Sequence, residues 1–197
     1  VSPKVNISGI NNISAGRLAA KTLVARRYKR VGFLGGPRSA TSTQDREKGF
    51  VTELATASDV AVTTSAASTY SFDAGRAEMQ RLLAAGDPAE AYFCGDDVLS
   101  IGALAAIQSA GLRVPEDIGI IGFNDMEMAR WTNINLTTIN QPIAGIVTAS
   151  IDQVVAMLAD KAAARNPAPS AHLFPCKLIR RGTLRQDPPR ANRTDQR

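Results

Sequence analysis

Residues 91–125 carry the pattern that decides the fold: Ala91-Tyr-Phe-Cys94, then Gly95-Asp-Asp97, a helical stretch Val98–Ala110, the turn Gly111-Leu-Arg-Val-Pro-Glu-Asp117, and Ile118-Gly-Ile-Ile-Gly-Phe123 ending in Asn124-Asp125. Both short runs are apolar throughout rather than alternating, the pattern of a strand covered on both faces. Between them lies an apolar helical segment closed by Gly111, a residue suited to the left-handed turn that ends helices. Strand, helix and strand in this order form a βαβ unit, and such units build parallel sheets.

The same alternation extends in both directions. Upstream, a helix is predicted over Ser14–Tyr28 with Ser14 as N-cap, then the strand Val31-Gly-Phe-Leu34 ended by Gly35-Gly36-Pro37. A second helix over Thr43–Ala57, a weak strand at Val60–Thr64 and a third helix over Ser71–Ala85, closed by Gly86, follow. Downstream, Pro142 opens a long amphipathic helix to about Arg165, Leu173–Ile179 is a last apolar strand, and the chain after Arg185 is expected to be a disordered tail. The fold class is therefore α/β, a doubly wound parallel sheet. Ligands bind such sheets outside the carboxyl ends of the strands, where the loops 36–46, 95–97 and 124–125 should converge.

Charge narrows the class of partner. The 197 residues carry 23 basic and 18 acidic side chains, a net +5. Lys177–Arg197 contributes seven positives against Asp187 and Asp195, 7 − 2 = +5, so residues 1–176 balance at 16 − 16 = 0. A neutral body with a basic end is not a nucleic-acid-binding surface. No apolar stretch is read as approaching the ~20 residues of a membrane span, and no export signal is visible, so a cytoplasmic protein without membrane contact is expected. Cys94 and Cys176, 82 positions apart within apolar stretches, fit two reduced thiols.

The polar loop residues are the candidate site. One of Asp96 and Asp97 should cap the following helix, while the other is free to turn into the cleft and accept hydrogen bonds. Asn124 and Asp125 pose the same choice between turn and ligand. Arg46 offers a planar fork of donors for a ligand's oxygens, against the alternative of an exposed ion pair with its acidic neighbours. Ser42 and its neighbours add hydroxyls. Tyr70 and Phe72 stand out in a chain that is 5% aromatic; either can stack on a ring, and Phe72 can equally staple the following helix. Trp131 is assigned to a subunit interface. The single histidine, His172, beside Pro169, Ser170 and Ala171, is read as a structural or surface residue, and no nucleotide, zinc or serine-hydrolase motif is present. No enzymatic activity, metal or cofactor is expected.

Taken in order, Arg46-x-x-Gly49-Phe50, Tyr70-Ser71-x-x-x-Gly75, Phe93-Cys-Gly-Asp-Asp97-x-x-x-x-Gly102-Ala-Leu104, Gly111-Leu-Arg-Val-Pro-Glu-Asp-Ile118, Ile121-Gly-Phe-Asn-Asp125, Leu136-Thr-Thr-Ile-Asn-Gln-Pro142 and Leu178-Ile-x-Arg181-Gly-Thr183 resemble the LacI/GalR family of bacterial transcriptional regulators. The resemblance implies a periplasmic-binding-protein-like core with one complete subdomain and part of a second. Residues 1–10 would be the last strand of an N-terminal subdomain otherwise absent, 11–138 the C-terminal effector-binding subdomain, 139–185 the crossover helix and return strand, and 186–197 the disordered basic tail. It further implies a homodimer whose operator DNA is bound through a helix-turn-helix domain outside this chain. The effector, a sugar or sugar derivative first and a purine second, would contact Arg46, Tyr70, Asp96 and Asn124, with Ser42, Phe72 and Asp125 as secondary contacts. The rival reading is a periplasmic sugar-binding protein for transport or chemotaxis.

Overall fold

The computed structural model describes residues 5–162 and 168–186. The expected tail beyond 186 and the end of the long helix near Arg165 lie outside the described residues. The elements run β1 (Ile7–Ile10), α1 (Asn12–Ala25), β2 (Arg30–Gly35), α2 (Thr41–Leu54), β3 (Ala61–Ala66), α3 (Phe72–Ala84), β4 (Ala91–Cys94), α4 (Asp97–Ser109), β5 (Gly119–Asn124), a short 3-10 turn (Glu127–Arg130), β6 (Thr138–Asn140), α5 (Ile143–Ala162), β7 (Ala171–Phe174) and β8 (Lys177–Ile179).

Six strands form one sheet in the order β3-β2-β4-β5-β6-β8, parallel except for the antiparallel pair β6–β8. Beyond β2 the chain winds first outward to β3 and then back across to β4, so the topological switch point lies between β2 and β4. The strand residues divide between two cores. Val31, Phe33, Phe93, Ile121 and Phe123 pack under α1 and α2, whereas Leu34, Tyr92, Cys94 and Ile120 pack under α3 and α4. Burial of each such apolar side chain contributes about 1.5–3 kcal/mol. The rings of Phe33, Phe50 and Phe93 meet at centroid distances of 5.5–6.1 Å and fix α2 against the sheet.

Both helix pairs are joined by the same device, two glycines each facing the partner backbone. A Cβ on Gly16 would stand 2.1 Å from the Arg46 carbonyl oxygen, and one on Gly49 2.0 Å from that of Ile13. On the other face Gly75 backs onto Leu99 and Gly102 onto Phe72, at 2.5 and 2.1 Å. The absence of side chains at these four positions lets the helix backbones touch, which sets how far Arg46 projects from the sheet.

The structure corrects several expectations. The first helix starts at Asn12, not Ser14, because Asn11 is its cap and accepts from the Ser14 amide at 2.9 Å. The apolar run 173–179 is two strands, not one: Pro175 lacks the amide that would continue a ladder, and the chain leaves β7 for β8 in a different sheet. β7 pairs in parallel with β1, while β8 completes the edge of the large sheet, so the segment after α5 serves both. A twenty-residue apolar helix, α5, is also present, although no such stretch was expected. By length and composition it suffices to cross a membrane, but one side lies on β1 and β7, where Ser8 donates to Gln153 Oε1 at 3.2 Å and Gln153 Nε2 donates to Ser170 at 3.0 Å. Its other side, with Ile143, Val147, Ile151, Val154 and Leu158 at helical spacing, is exposed.

Candidate functional site

The site forms at the switch point. α2 begins beyond the glycine pair at the end of β2, and its second turn carries Arg46 inward over the end of β4. The guanidinium is 7% exposed and lies 3.7 Å above the Phe123 ring centroid. Its Nε donates to Asn12 Oδ1 at 2.8 Å and its Nη1 to the Gly95 carbonyl at 2.6 Å. Three elements thus hold one cation, and its Nη2 has no hydrogen-bond partner among the described residues. Burial lowers its pKa, opposed by Tyr70 and then Asp96; with an ordinary value of 12.5 it stays charged at neutral pH. The alternative of an exposed ion pair with Asp45 or Glu47 is not what forms. Asn12 was not singled out from the sequence, since it became visible as a partner only when α1 and α2 packed together.

Tyr70 lies across Gly36, where a Cβ would meet its ring at 2.3 Å. Its hydroxyl is 2.6 Å from Thr43 Oγ1 and 3.4 Å from Ser42 Oγ, so one ring edge is anchored while the residue remains 36% exposed at the mouth of the cleft. Thr43 is the stronger of the two hydroxyl partners. Phe72 opens α3 directly after its cap Ser71 and is 38% exposed; a hydrophobic staple uses the residue before the cap, so Phe72 is not placed to form one.

The acidic pair divides differently from the expectation of one cap and one cleft-facing group. Asp96 is the cap: Oδ1 accepts from the Val98 amide at 2.7 Å, while Oδ2 accepts from Asn124 Nδ2 at 2.6 Å. Burial raises its pKa, opposed chiefly by the Val98 amide and the Arg46 charge. Asp97 turns into the protein. It is fully buried and accepts from Thr138 Oγ1 at 2.6 Å and from the Met126 amide at 2.7 Å, joining β6 to the loop after β5. Burial pushes its carboxyl up to about 6.

Asn124 and Asp125 both have positive φ, 114° and 58°. This sharp turn sends their side chains to opposite sides. Asn124 joins Asp96 and accepts from Gln141 Nε2, whereas Asp125 is taken by Arg181 at 2.6 Å and by Asn140 at 3.2 Å. Asp125 is thus a structural tie between the loop and the segment after β8. Gln141 is a site residue that went unnamed; its place in the run Leu136–Pro142 directly after β6 was the available signal.

Arg46, Tyr70, Asp96 and Asn124 therefore meet at one end of the sheet, with Ser42 at the rim. A cationic donor, hydroxyls, a ring face and an amide pair make a site for a small polar molecule. Among the described residues no group of three or more His, Cys, Asp and Glu could hold a metal, and burial pushes the Cys94 thiol up to about 12, so it is no nucleophile. Trp131 is 51% exposed and stands apart on the loop after β5.

Comparison with known proteins agrees with this fold. The periplasmic binding protein-like domain family matches residues 20–184. The chain is 33% identical over 180 residues to the HTH-type transcriptional repressor CytR of Escherichia coli (strain K12), covering 91% of this chain and 52% of that protein. It is 31% identical over 147 residues to the ribose operon repressor of Haemophilus influenzae, covering 74% and 44% respectively. Among solved structures, the dimeric Lac repressor with an 11-residue C-terminal deletion superposes with a TM-score of 0.79 at 26% identity, over 89% of this chain and 62% of that one. The chain spans about half the length of the curated relatives it matches.

Proposed function

Since this chain belongs to the periplasmic-binding-protein-like family in its LacI/GalR branch, we propose that it supplies the C-terminal half of the effector cleft of a cytoplasmic transcriptional regulator. The observation that carries this reading is the buried Arg46 guanidinium, stacked on Phe123 and pinned by Asn12 and Gly95 with one nitrogen left over. A buried cation is costly unless partnered; here an uncharged but acceptor-rich ligand, a sugar or sugar derivative in the first instance and a purine in the second, would complete its bonding. Tyr70 would cover the ring, and Asn124 would contact it beside Arg46, with Asp96 behind. The relative named for the ribose operon supports a sugar.

The remaining half of the cleft would come from an N-terminal subdomain. Two observations support this: the chain's share of its relatives' length, and the uncovered apolar side of α5 above the two-stranded β1–β7 sheet. An upstream helix-turn-helix domain would bind operator DNA, and the pair of subdomains would dimerise with Trp131 in the interface. Effector binding would then act through its different affinity for two orientations of the halves. Among the described residues no catalytic constellation is recognised, and the relatives are named as repressors.

The test is a thermal-shift screen of sugars and nucleobases on the complete regulator. A ligand that binds only the folded state raises its stability by RT ln(1 + [L]/Kd), about 2.7 kcal/mol at 100 Kd. Arg46→Ala should abolish the shift. A full shift in that variant would remove Arg46 as the anchor.

A further inference from the structure

The polar residues at the ends of β4, β5 and β6 form a chain with a fixed direction. Asp96 Oδ2 accepts from Asn124 Nδ2 at 2.6 Å, and Asn124 Oδ1 accepts from Gln141 Nε2. A carboxylate only accepts hydrogen bonds, whereas an amide both donates and accepts. Asp96 therefore compels Asn124 to turn its NH2 group inward. The carbonyl of Asn124 is then the atom left for Gln141, which must in turn present its own NH2. Gln141 Oε1 is the end of the chain, and among the described residues it has no hydrogen-bond donor. Carboxamide orientation is ordinarily ambiguous from shape alone; here the carboxylate at one end removes the ambiguity at both amides.

We infer that Asp96 is a positioning residue that acts through Asn124 and Gln141 to fix which way both amides face, leaving Gln141 Oε1 as an acceptor for a hydroxyl or N–H of the occupant while Arg46 takes an acceptor of it. This deepens the effector-binding reading above and rests on it for the occupant, but the direction of the chain is a property of the folded protein alone. It also gives a reason for a carboxylate, rather than any other capping side chain, at position 96. Ser, Asn and Asp cap helices about equally well, but an Asn capping through its oxygen would turn its NH2 toward Asn124 and reverse the chain, so Asp alone sets this direction.

The experiment uses the 197-residue chain and its Asp96→Asn variant, which keeps a capping oxygen for the Val98 amide. Side-chain carboxamide signals are followed by 1H–15N NMR. In the wild type, the Asn124 and Gln141 NH2 protons should be distinct from those of solvated amides and slow to exchange. In D96N, whose oxygen still caps Val98 and whose NH2 then faces Asn124, the chain should reverse, so both pairs should leave their wild-type positions while the Val98 amide holds its own. A second variant, Asn124→Ala, should free the Gln141 signals and leave the cap intact. If D96N shifts Asn124 but not Gln141, or neither, the directional chain is overturned.

Titration of the complete regulator, wild type and D96N, with D-ribose and its 2-, 3- and 5-deoxyfluoro analogues tests the consequence, because fluorine replaces a hydroxyl donor with a group that cannot donate. One analogue should bind the wild type about tenfold more weakly than D-ribose, the worth of one hydrogen bond of about 1.4 kcal/mol, and this discrimination should fall below about threefold in D96N. Equal binding of all analogues to the wild type would overturn the selection for a donor. Failure of D-ribose to shift any signal would count against ribose as occupant, while the carboxamide signals would still decide the direction.

Discussion

Asp97 makes the stability of this protein depend on pH in a direction opposite to that of most carboxylates. It is fully buried, with Thr138 and the Met126 amide as donors and Asp96 and Asp125 as nearby like charges. Burial outweighs the two hydrogen bonds, so the folded carboxyl titrates at about 6 against an ordinary 3.8. The native state then holds this proton more tightly than the unfolded chain. Stability from this group is fully present below the unfolded value and is lost as pH rises through 6. At 1.36 kcal/mol per pH unit, the rise from 3.8 to about 6 amounts to about 3 kcal/mol in all, of which about 2 kcal/mol falls between pH 4.5 and 7.5. That is a substantial part of the 5–15 kcal/mol typical of a domain. The perturbation is Asp97→Asn, which keeps the size and one acceptor but cannot titrate. At pH 4.5 the wild-type carboxyl is protonated and, like the amide, offers one carbonyl acceptor and one donor to Met126 and Thr138, so the two proteins should be about equally stable there. By pH 7.5 the wild type should have lost about 2 kcal/mol relative to the variant. Urea unfolding followed by circular dichroism at intervals across that range measures the difference, in which the other carboxylates cancel. Two curves that stay parallel within about 0.5 kcal/mol would refute the assignment of a raised pKa to Asp97.

Other expectations follow from the packing. Gly16→Ala places a methyl 2.1 Å from the Arg46 carbonyl and should cost about 1–3 kcal/mol by overpacking, read from urea midpoints; Gly9→Ala, with open space around its Cβ, is the control and should change little. Arg181→Ala removes the nearer cation of the buried Asp125 carboxylate, leaving Asn140 at 3.2 Å and Arg130 at 3.9 Å, and should cost about 3 kcal/mol, the low end for a broken buried pair, with Arg181→Ala/Asp125→Asn recovering part of the loss, a coupling that a double-mutant cycle measures. Val147→Ser with Leu158→Ser alters exposed positions of α5. It should change the midpoint by less than about 0.5 kcal/mol while reducing concentration-dependent association in light scattering; unchanged association would show that this face is not adhesive.

Legibility followed the range of the interaction involved. The continuous apolar runs at 91–94 and 118–123 announced strands covered on both faces, because that pattern is local and periodic. The loops at 36–46, 95–97 and 124–125 could be placed together because parallel sheets put their carboxyl ends on one side. The boundary at Asn11, the split at Pro175 and the role of Asn12 were not legible in the same way. Each depends on which segment packs against which, and Asn12 and Arg46 are 34 positions apart. The apolar length of α5 was underestimated because Ser150, Asp152 and Gln153 interrupt the run; on a helix two of these, Ser150 and Gln153, collect on the side toward β1 and β7.

The sequence by itself determined the alternation of strands and helices, the neutrality of the first 176 residues and the residue types gathered at the site. Tertiary structure decided what those residues do there. Two adjacent aspartates, identical in chemistry, became a cap that orients an amide chain and a buried carboxyl titrating near 6. The physical reason is that a side chain's hydrogen-bonding and ionisation are fixed by its surroundings. At the start of α4 one residue's rotation separates the cleft from the core.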